Sequence, residues 1–378
     1  MPLALLLAVA LGPAGDAFYA PLTPLPVQTH GAAIWARPFS GGPALVSAAT
    51  NQRLLYSTVS PQGTLTAVSG TVAIPHGSPP PQGWPLLVWA HGTVGNGPQC
   101  APSRAPAPDV EQRMLDGFVA RGFAVAQTDY EGNGTPGNHP YLVAAASARD
   151  LTDMALAARD LEPAIGKRWV AMGHSEGGDA ALAAAAFPQT QWAPEMQLLG
   201  AVSYAPLSFP QDLLRGELHN DAPNPGEVVL ALTIDGFAAV DPQVDPSQML
   251  EPGALALMPD LYRQCFTDLT QTWSKVVPNA MFRPQSESSV EALDADLRRN
   301  DPANFAIAIP TLLVQGGSDA SIDPESTRAL ADRLRRQGTP VTLATYLSAT
   351  HGSVLAASAA DVAAWLARRF AGSGESGR

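Results

Sequence analysis

Short apolar or alternating runs punctuate the chain, with turn residues between them. Runs at 54–59, 67–74, 86–90, 124–128, 169–172, 200–203, 311–315 and 342–346 have the length and composition of strands. Apolar residues at helical spacing predict helices near 109–121, 147–161, 177–187, 325–336 and 354–370. The clearest is 147–161, where Leu151, Met154, Ala155, Ala158 and Leu161 share a face and Arg149 is spaced to pair with Asp153. The first two strands are close in sequence and predict an antiparallel pair at a sheet edge. From Leu86 onward strands and helices alternate. That order predicts right-handed crossovers and an α/β fold: a mostly parallel, eight-stranded sheet with helices on both faces.

The alternation stops over residues 206–303, where Pro, Asp and Gly separate short helical pieces. Nearly 100 residues between two core strands is too long for a simple crossover. The segment reads as a helical cap inserted over the carboxyl ends of the strands, with the core formed by 17–205 and 304–372. A separate domain fits less well, because the sheet pattern resumes afterwards. Residues 373–378 read as a disordered tail. At the other end, Leu3 to Leu11 is an apolar run followed by small residues and helix breakers. It predicts a signal peptide over 1–16, cut near Ala14 to Ala17, although the positively charged start is missing. The alternatives are a trimmed start site and a buried N-terminal strand.

Composition narrows the class. The chain has 378 residues, 46% hydrophobic and 15% charged, so a sizeable core is expected. A formal net charge of -12 argues against a nucleic-acid partner, which would require a basic face. No uninterrupted apolar stretch is long enough to predict a transmembrane helix. The two cysteines, Cys100 and Cys265, are either a disulfide, as export would allow, or two buried thiols. Their spacing carries no metal-site signal.

The chemistry centres on "WVAMGHSEGGDAALAAAAF" at 169–187, a strand, then Gly-x-Ser-x-Gly, then a helix. This is the nucleophile elbow of α/β hydrolases, a strained turn that exposes Ser175 at a helix N-terminus. A serine hydroxyl needs a base, and the elbow hydrolases run in the order Ser, acid, His. Of seven histidines only His351 follows the last strand, so it is the expected base. The acid belongs after the penultimate strand, in "TLLVQGGSDASIDP", and Asp319 is the choice. Asp323 precedes Pro324 and reads as a helix N-cap. His174, beside the serine, is assigned to packing. The oxyanion hole is expected from the N–H groups of Glu176, directly after the serine, and Thr93, after the third strand. Gly92 allows close approach of the substrate there. No phosphate-binding glycine motif of a nucleotide site is present, so nucleotide use is not expected. In "DYEGNGTPG" at 129–137, Tyr130 is placed at the substrate pocket and Asp129 holds the loop, against a purely structural Gly/Pro turn.

The chain resembles the secretory lipase branch of the α/β hydrolases, the lipase A type, with its bacterial esterase relatives. The resemblance is carried by "DAFYAPLTPLP" at 16–26, "VWAHGTVG" at 88–95, "DYEGNGTPGNHPYL" at 129–142, "GHSEGG" at 173–178, "VQGGSDASIDP" at 314–324 and "THGS" at 350–353. It implies a cap insertion, ester substrates, no cofactor and export, and it supports Ser175, Asp319 and His351 as the triad. Glu176 brings a carboxylate close to the site, facing either substrate or a buried partner. The expectation is a serine carboxylic-ester hydrolase acting on a small-molecule ester or lipid through an acyl-enzyme. A peptidase or acyltransferase would use the same triad, and a binding protein would keep the scaffold without the chemistry.

Overall fold

Side chains alternate across a strand, and the central strands here are apolar on both sides. In β5 (Trp84–Ala90), Leu86, Val88 and Ala90 join one buried cluster while Leu87 and Trp89 join another. In β7 (Ile165–His174), Trp169 and Ala171 face one way and Val170 and Met172 the other. Strands of this kind are stable only with helices over both faces. The computed structural model, which describes residues 9–105, 109–223 and 226–371, has that arrangement.

Among the described residues the sheet has ten strands, two more than expected. The others are β1 (Ala10–Leu11), β2 (Ala33–Pro38), β3 (Ala48–Val59), β4 (Leu65–Pro75), β6 (Ala124–Thr128), β8 (Gln197–Tyr204), β9 (Thr311–Gly316) and β10 (Val341–Tyr346). Their order is β1-β2-β3-β4-β6-β5-β7-β8-β9-β10. The pairs β2–β3, β3–β4 and β4–β6 are antiparallel, and the rest are parallel. The added strands are β1 and β2, so the β3–β4 pair lies inside the sheet instead of at its edge. β1 has two residues, and β2, Ala-Ile-Trp-Ala-Arg-Pro, shows no alternation before it ends on Pro38.

Helices α1 (Asp109–Val119), α2 (Ala144–Leu161) and α3 (Glu176–Ala186) flank the sheet. Leu151, Met154, Ala155 and Ala158 of α2 pack with Ala180, Ala181 and Ala184 of α3 on one face. Met114, Leu115 and Phe118 of α1 and Trp365 and Leu366 near the C-terminus cover the other. The expected helix 354–370 is two pieces, Val354–Ala357 and Ala359–Ala371. The expected Arg149–Asp153 pair is not made. Asp153 is buried and accepts from His30, Thr58 and Trp192, while Arg149 donates to the carbonyls of Val59 and Ser60.

Between β8 and β9 the chain forms short helices, including Pro210–Glu217, Glu227–Ala238, Phe266–Trp273 and Glu287–Asn300. Their apolar residues build a third cluster, to which Tyr141 and Val143 also belong. This segment is tied to the loop after β5. Cys100 and Cys265 form a disulfide, Phe266 N–H donates to Val94 O at 2.8 Å, and Asn96 N–H donates to Leu261 O at 3.1 Å. Most of the expected signal peptide, residues 1–8, and the expected tail at 373–378 lie outside the described residues. Within 9–16, Gly12 N–H donates to Ala36 O beside the β1–β2 pairing.

Candidate active site

The turn between β7 and α3 is built from small residues for a measurable reason. A Cβ on Gly173 would sit 2.0 Å from Gly177 O, and one on Gly177 would sit 1.9 Å from Ala90 O. Only glycine admits the helix this close to the strands. Ser175 between them has φ 56° and ψ -120°, a backbone state that L-residues rarely hold. Its N–H donates to Tyr204 O at 2.8 Å, and Gly178 N–H donates to Ser175 O at 2.8 Å, which starts α3. The result is a hydroxyl presented beyond the sheet at the positive end of a helix.

His351 arrives on the loop after β10. Its Nδ1 lies 2.8 Å from Asp319 Oδ2. A carboxylate only accepts, so Nδ1 carries a hydrogen and donates it. Asp319 stands after β9 and is held from four sides. It accepts from the N–H groups of Ser321 (2.8 Å) and Ile322 (2.9 Å) and from Gln315 Nε2 (3.0 Å), as well as from His351. Burial pushes its carboxyl up, but the bonds from His351 and the loop amides outweigh burial and hold it below the ordinary carboxylate value. Asp323 caps the next helix through Glu325 N–H at 3.0 Å.

His174 does more than fill space. Its Nε2 donates to His351 O at 2.9 Å, and the two rings lie 4.4 Å apart. Burial, and then the neighbouring His351, push its imidazole down to about 3, so the ring stays neutral. A hydrogen bond from a residue next to the serine therefore sets the main-chain position of His351.

Ser175, His174 and His351 line a cavity of about 350 Å³, together with Gly92, Thr93 and Glu176. Its remaining wall is largely apolar and includes Val94, Leu142, Leu207, Leu213, Val229, Phe266 and Ile322. Gly92 is close to the serine: a Cβ there would be 3.6 Å from Ser175 Cβ. Tyr130 does not join this lining and stands corrected as a substrate contact. It is 1% exposed, behind the wall, and its hydroxyl donates to the carbonyl of the lining residue His91 at 2.9 Å. Asp129 holds the loop as expected of it, accepting from Ser69 Oγ, Ser103 N–H and Ser103 Oγ.

Two further residues were not legible. Glu111 is a buried carboxyl on the cavity wall, accepting from Trp89 Nε1 at 2.9 Å. Burial drives its carboxyl up to about 7. His139 is the partner of Glu176, Nε2 to Oε1 at 2.8 Å, so that carboxylate faces the interior. Nothing in the spacing of 139 and 176 announces that contact. Among the described residues no group of three or more His, Cys, Asp or Glu is arranged to hold a metal ion, and no helix is long and apolar enough to cross a membrane.

Comparison with known proteins adds an independent line. A family model described as secretory lipase matches residues 105–377. No curated protein matches the chain. Among solved structures, Candida antarctica lipase A in its closed state superposes with a TM-score of 0.71 at 14% identity, over 85% of this chain and 78% of that one. A putative hydrolase of Legionella pneumophila gives 0.70 at 19%, over 86% and 90%. A rice cell wall degrading esterase, LipA of Xanthomonas oryzae, gives 0.69 at 20%, over 91% and 98%. At these identities the likeness establishes the fold, that of the α/β hydrolases.

Proposed function

The chain belongs to the secretory lipase family and is an ester hydrolase of the lipase/esterase type, and on that premise we propose that it cleaves acyl esters through an acyl-enzyme on Ser175. One observation carries the reading. A serine on a strained strand–helix turn shares a cavity with a histidine whose far nitrogen is bonded to a buried aspartate.

In this mechanism His351 Nε2 takes the Ser175 proton as Oγ attacks the ester carbonyl carbon. Asp319 holds the tautomer and stabilises the imidazolium that forms. The carbonyl oxygen becomes an oxyanion on the N–H groups of Thr93 and Glu176, each such donor contributing roughly 3 kcal/mol in the transition state. His351 returns the proton to the departing alkoxide. Water then repeats the sequence on the acyl-enzyme and frees the acid. The apolar wall of the cavity suits an acyl chain. Segment 206–303 serves as the cap through which the ester enters, and the enzyme is exported, in keeping with the family description and with the disulfide.

The test is a set of p-nitrophenyl esters of graded acyl length against a peptide anilide, with a fluorophosphonate probe. Ester turnover with labelling of Ser175 is expected. Ser175→Ala should abolish both while keeping the melting temperature equal or higher, and Asp319→Asn should lower kcat by roughly 10⁴. A folded protein that ignores the probe, or that cleaves only the anilide, rejects the mechanism.

A further inference from the structure

The block 129–142 lies between β6 and α2, and its side chains reach both walls of the proposed oxyanion hole. Tyr130 OH donates to His91 O at 2.9 Å. Asn133 Nδ2 donates to Gly95 O at 3.2 Å. Tyr141 OH and Thr93 Oγ1 are 2.8 Å apart. These three bonds grip the loop after β5 on either side of Thr93 and at it. The fourth bond crosses to the other wall, where His139 Nε2 meets Glu176 Oε1 at 2.8 Å. His139 Nδ1 lies 3.0 Å from Glu131 O, so both ring nitrogens face acceptors and both carry hydrogen; burial opposes the charge, but the bond to Glu176 outweighs it and holds the imidazole above its ordinary value. The ring of Tyr130 stacks on His139 with centroids 5.3 Å apart, and Tyr141 meets the same ring edge-on at 6.0 Å.

The block is itself anchored. Asp129 is bonded to Ser69 and Ser103, Glu131 N–H donates to Asp150 Oδ2 at 2.9 Å, and Thr135 Oγ1 donates to Ala67 O at 2.9 Å. Tyr130, with φ 64°, is held in the left-handed region by these contacts. Without such a bridge, the two main-chain donors sit on separate loops, one after β5 and one after β7. Their separation must hold to a fraction of an ångström for both to meet one oxygen.

We propose that segment 129–142 is a clamp that fixes the distance between the Thr93 and Glu176 N–H groups, with Tyr130, His139 and Tyr141 as positioning residues. This rests on the ester-hydrolase mechanism above. Tyr141 acts through the Thr93 side chain, His139 through the Glu176 side chain, and Tyr130 through the carbonyl of His91 while it packs against His139.

The experiment measures kcat, KM and melting temperature on p-nitrophenyl butyrate for Tyr141→Phe, Thr93→Val, the double variant and His139→Leu. The Ki of an alkyl trifluoromethyl ketone is measured alongside. That probe accepts Ser175 Oγ at its carbonyl carbon and places the resulting oxyanion in the hole. Tyr141→Phe should lower kcat about ten- to a hundredfold with KM little changed, and weaken the ketone by the same factor. The double variant should lose no more than the worse single one, because both remove one bond. His139→Leu, which keeps no donor to Glu176, should behave like Tyr141→Phe. Tyr346→Phe, which removes a hydroxyl bonded to Asp361 at the far end of the sheet, should leave all readings unchanged. The clamp is overturned if the Tyr141 and His139 variants lose only melting temperature, or raise KM at constant kcat, or bind the ketone undiminished. Wild-type protein inert to the ester rejects the hydrolase mechanism itself, a different result from active wild type with unaffected variants.

Discussion

His174 donates its Nε2 hydrogen to the main-chain carbonyl of His351, 2.9 Å away across 177 positions of sequence. The residue before the elbow serine thus carries the backbone of the residue expected to activate that serine. The end of β7 and a loop from the opposite half of the chain are locked by one neutral imidazole.

That neutrality has a signature in pH. His174 is held down to about 3, against about 6.5 in an unfolded chain. Between those values the unfolded chain binds the extra proton, so its contribution to stability is full above pH ~6.5 and is lost as pH falls toward 3. The contribution is on the order of 5 kcal/mol. His174→Gln keeps an N–H donor and cannot titrate. Urea unfolding at pH 4.5 and 7 should show a smaller loss on acidification for this variant than for wild type. Equal losses would mean the ring is not buried neutral.

Glu111 carries the opposite sign. Its folded value of about 7 lies above the unfolded value near 4.3. The folded protein binds the extra proton, so stability is greatest below pH ~4.3 and declines as pH rises through 7. Glu111→Gln, which keeps the acceptor for Trp89 Nε1, should remove a decline on the order of 3 kcal/mol. Thermal melts of both proteins from pH 5 to 8 test this, and parallel curves would refute it.

The Cys100–Cys265 bond closes a loop across 165 positions and joins the wall of the cavity to the 206–303 segment. Chain entropy gives such a crosslink up to ~5 kcal/mol. Cys100→Ser with Cys265→Ser should lower the melting temperature by several degrees and raise KM for esters more than it lowers kcat. A fall in kcat alone would place the effect at the serine instead.

Two glycines separate close packing from mere helix content. Gly177→Ala must push a methyl into Ala90 O, from which an ideal Cβ would lie only 1.9 Å. Gly253→Ala, in the helix Pro252–Leu255, meets nothing within 4 Å. The first should cost ~3 kcal/mol or more, or prevent folding. The second should be neutral or stabilise by up to ~1 kcal/mol. Denaturant midpoints of the two variants give the comparison, and similar values would contradict the packing account.

By itself the sequence determined the eight strands β3 to β10, the helices between them and the turn that bears Ser175, because periodicity and glycine spacing are local properties of a chain. It also singled out Asp319 and His351 by their place after strands, and the fold bonds the two together. It left β1 and β2 unread, since β1 has two residues and β2, Ala-Ile-Trp-Ala-Arg-Pro, does not alternate. Only the tertiary structure decided that Glu176 turns inward to His139, that Tyr130 is buried behind the cavity wall against His91, that His174 supports His351 and that Glu111 stands in the wall. Those assignments depend on which side chains meet once the sheet and both helical layers are packed. Contacts between positions 22 to 177 residues apart leave no mark on the local pattern at either end.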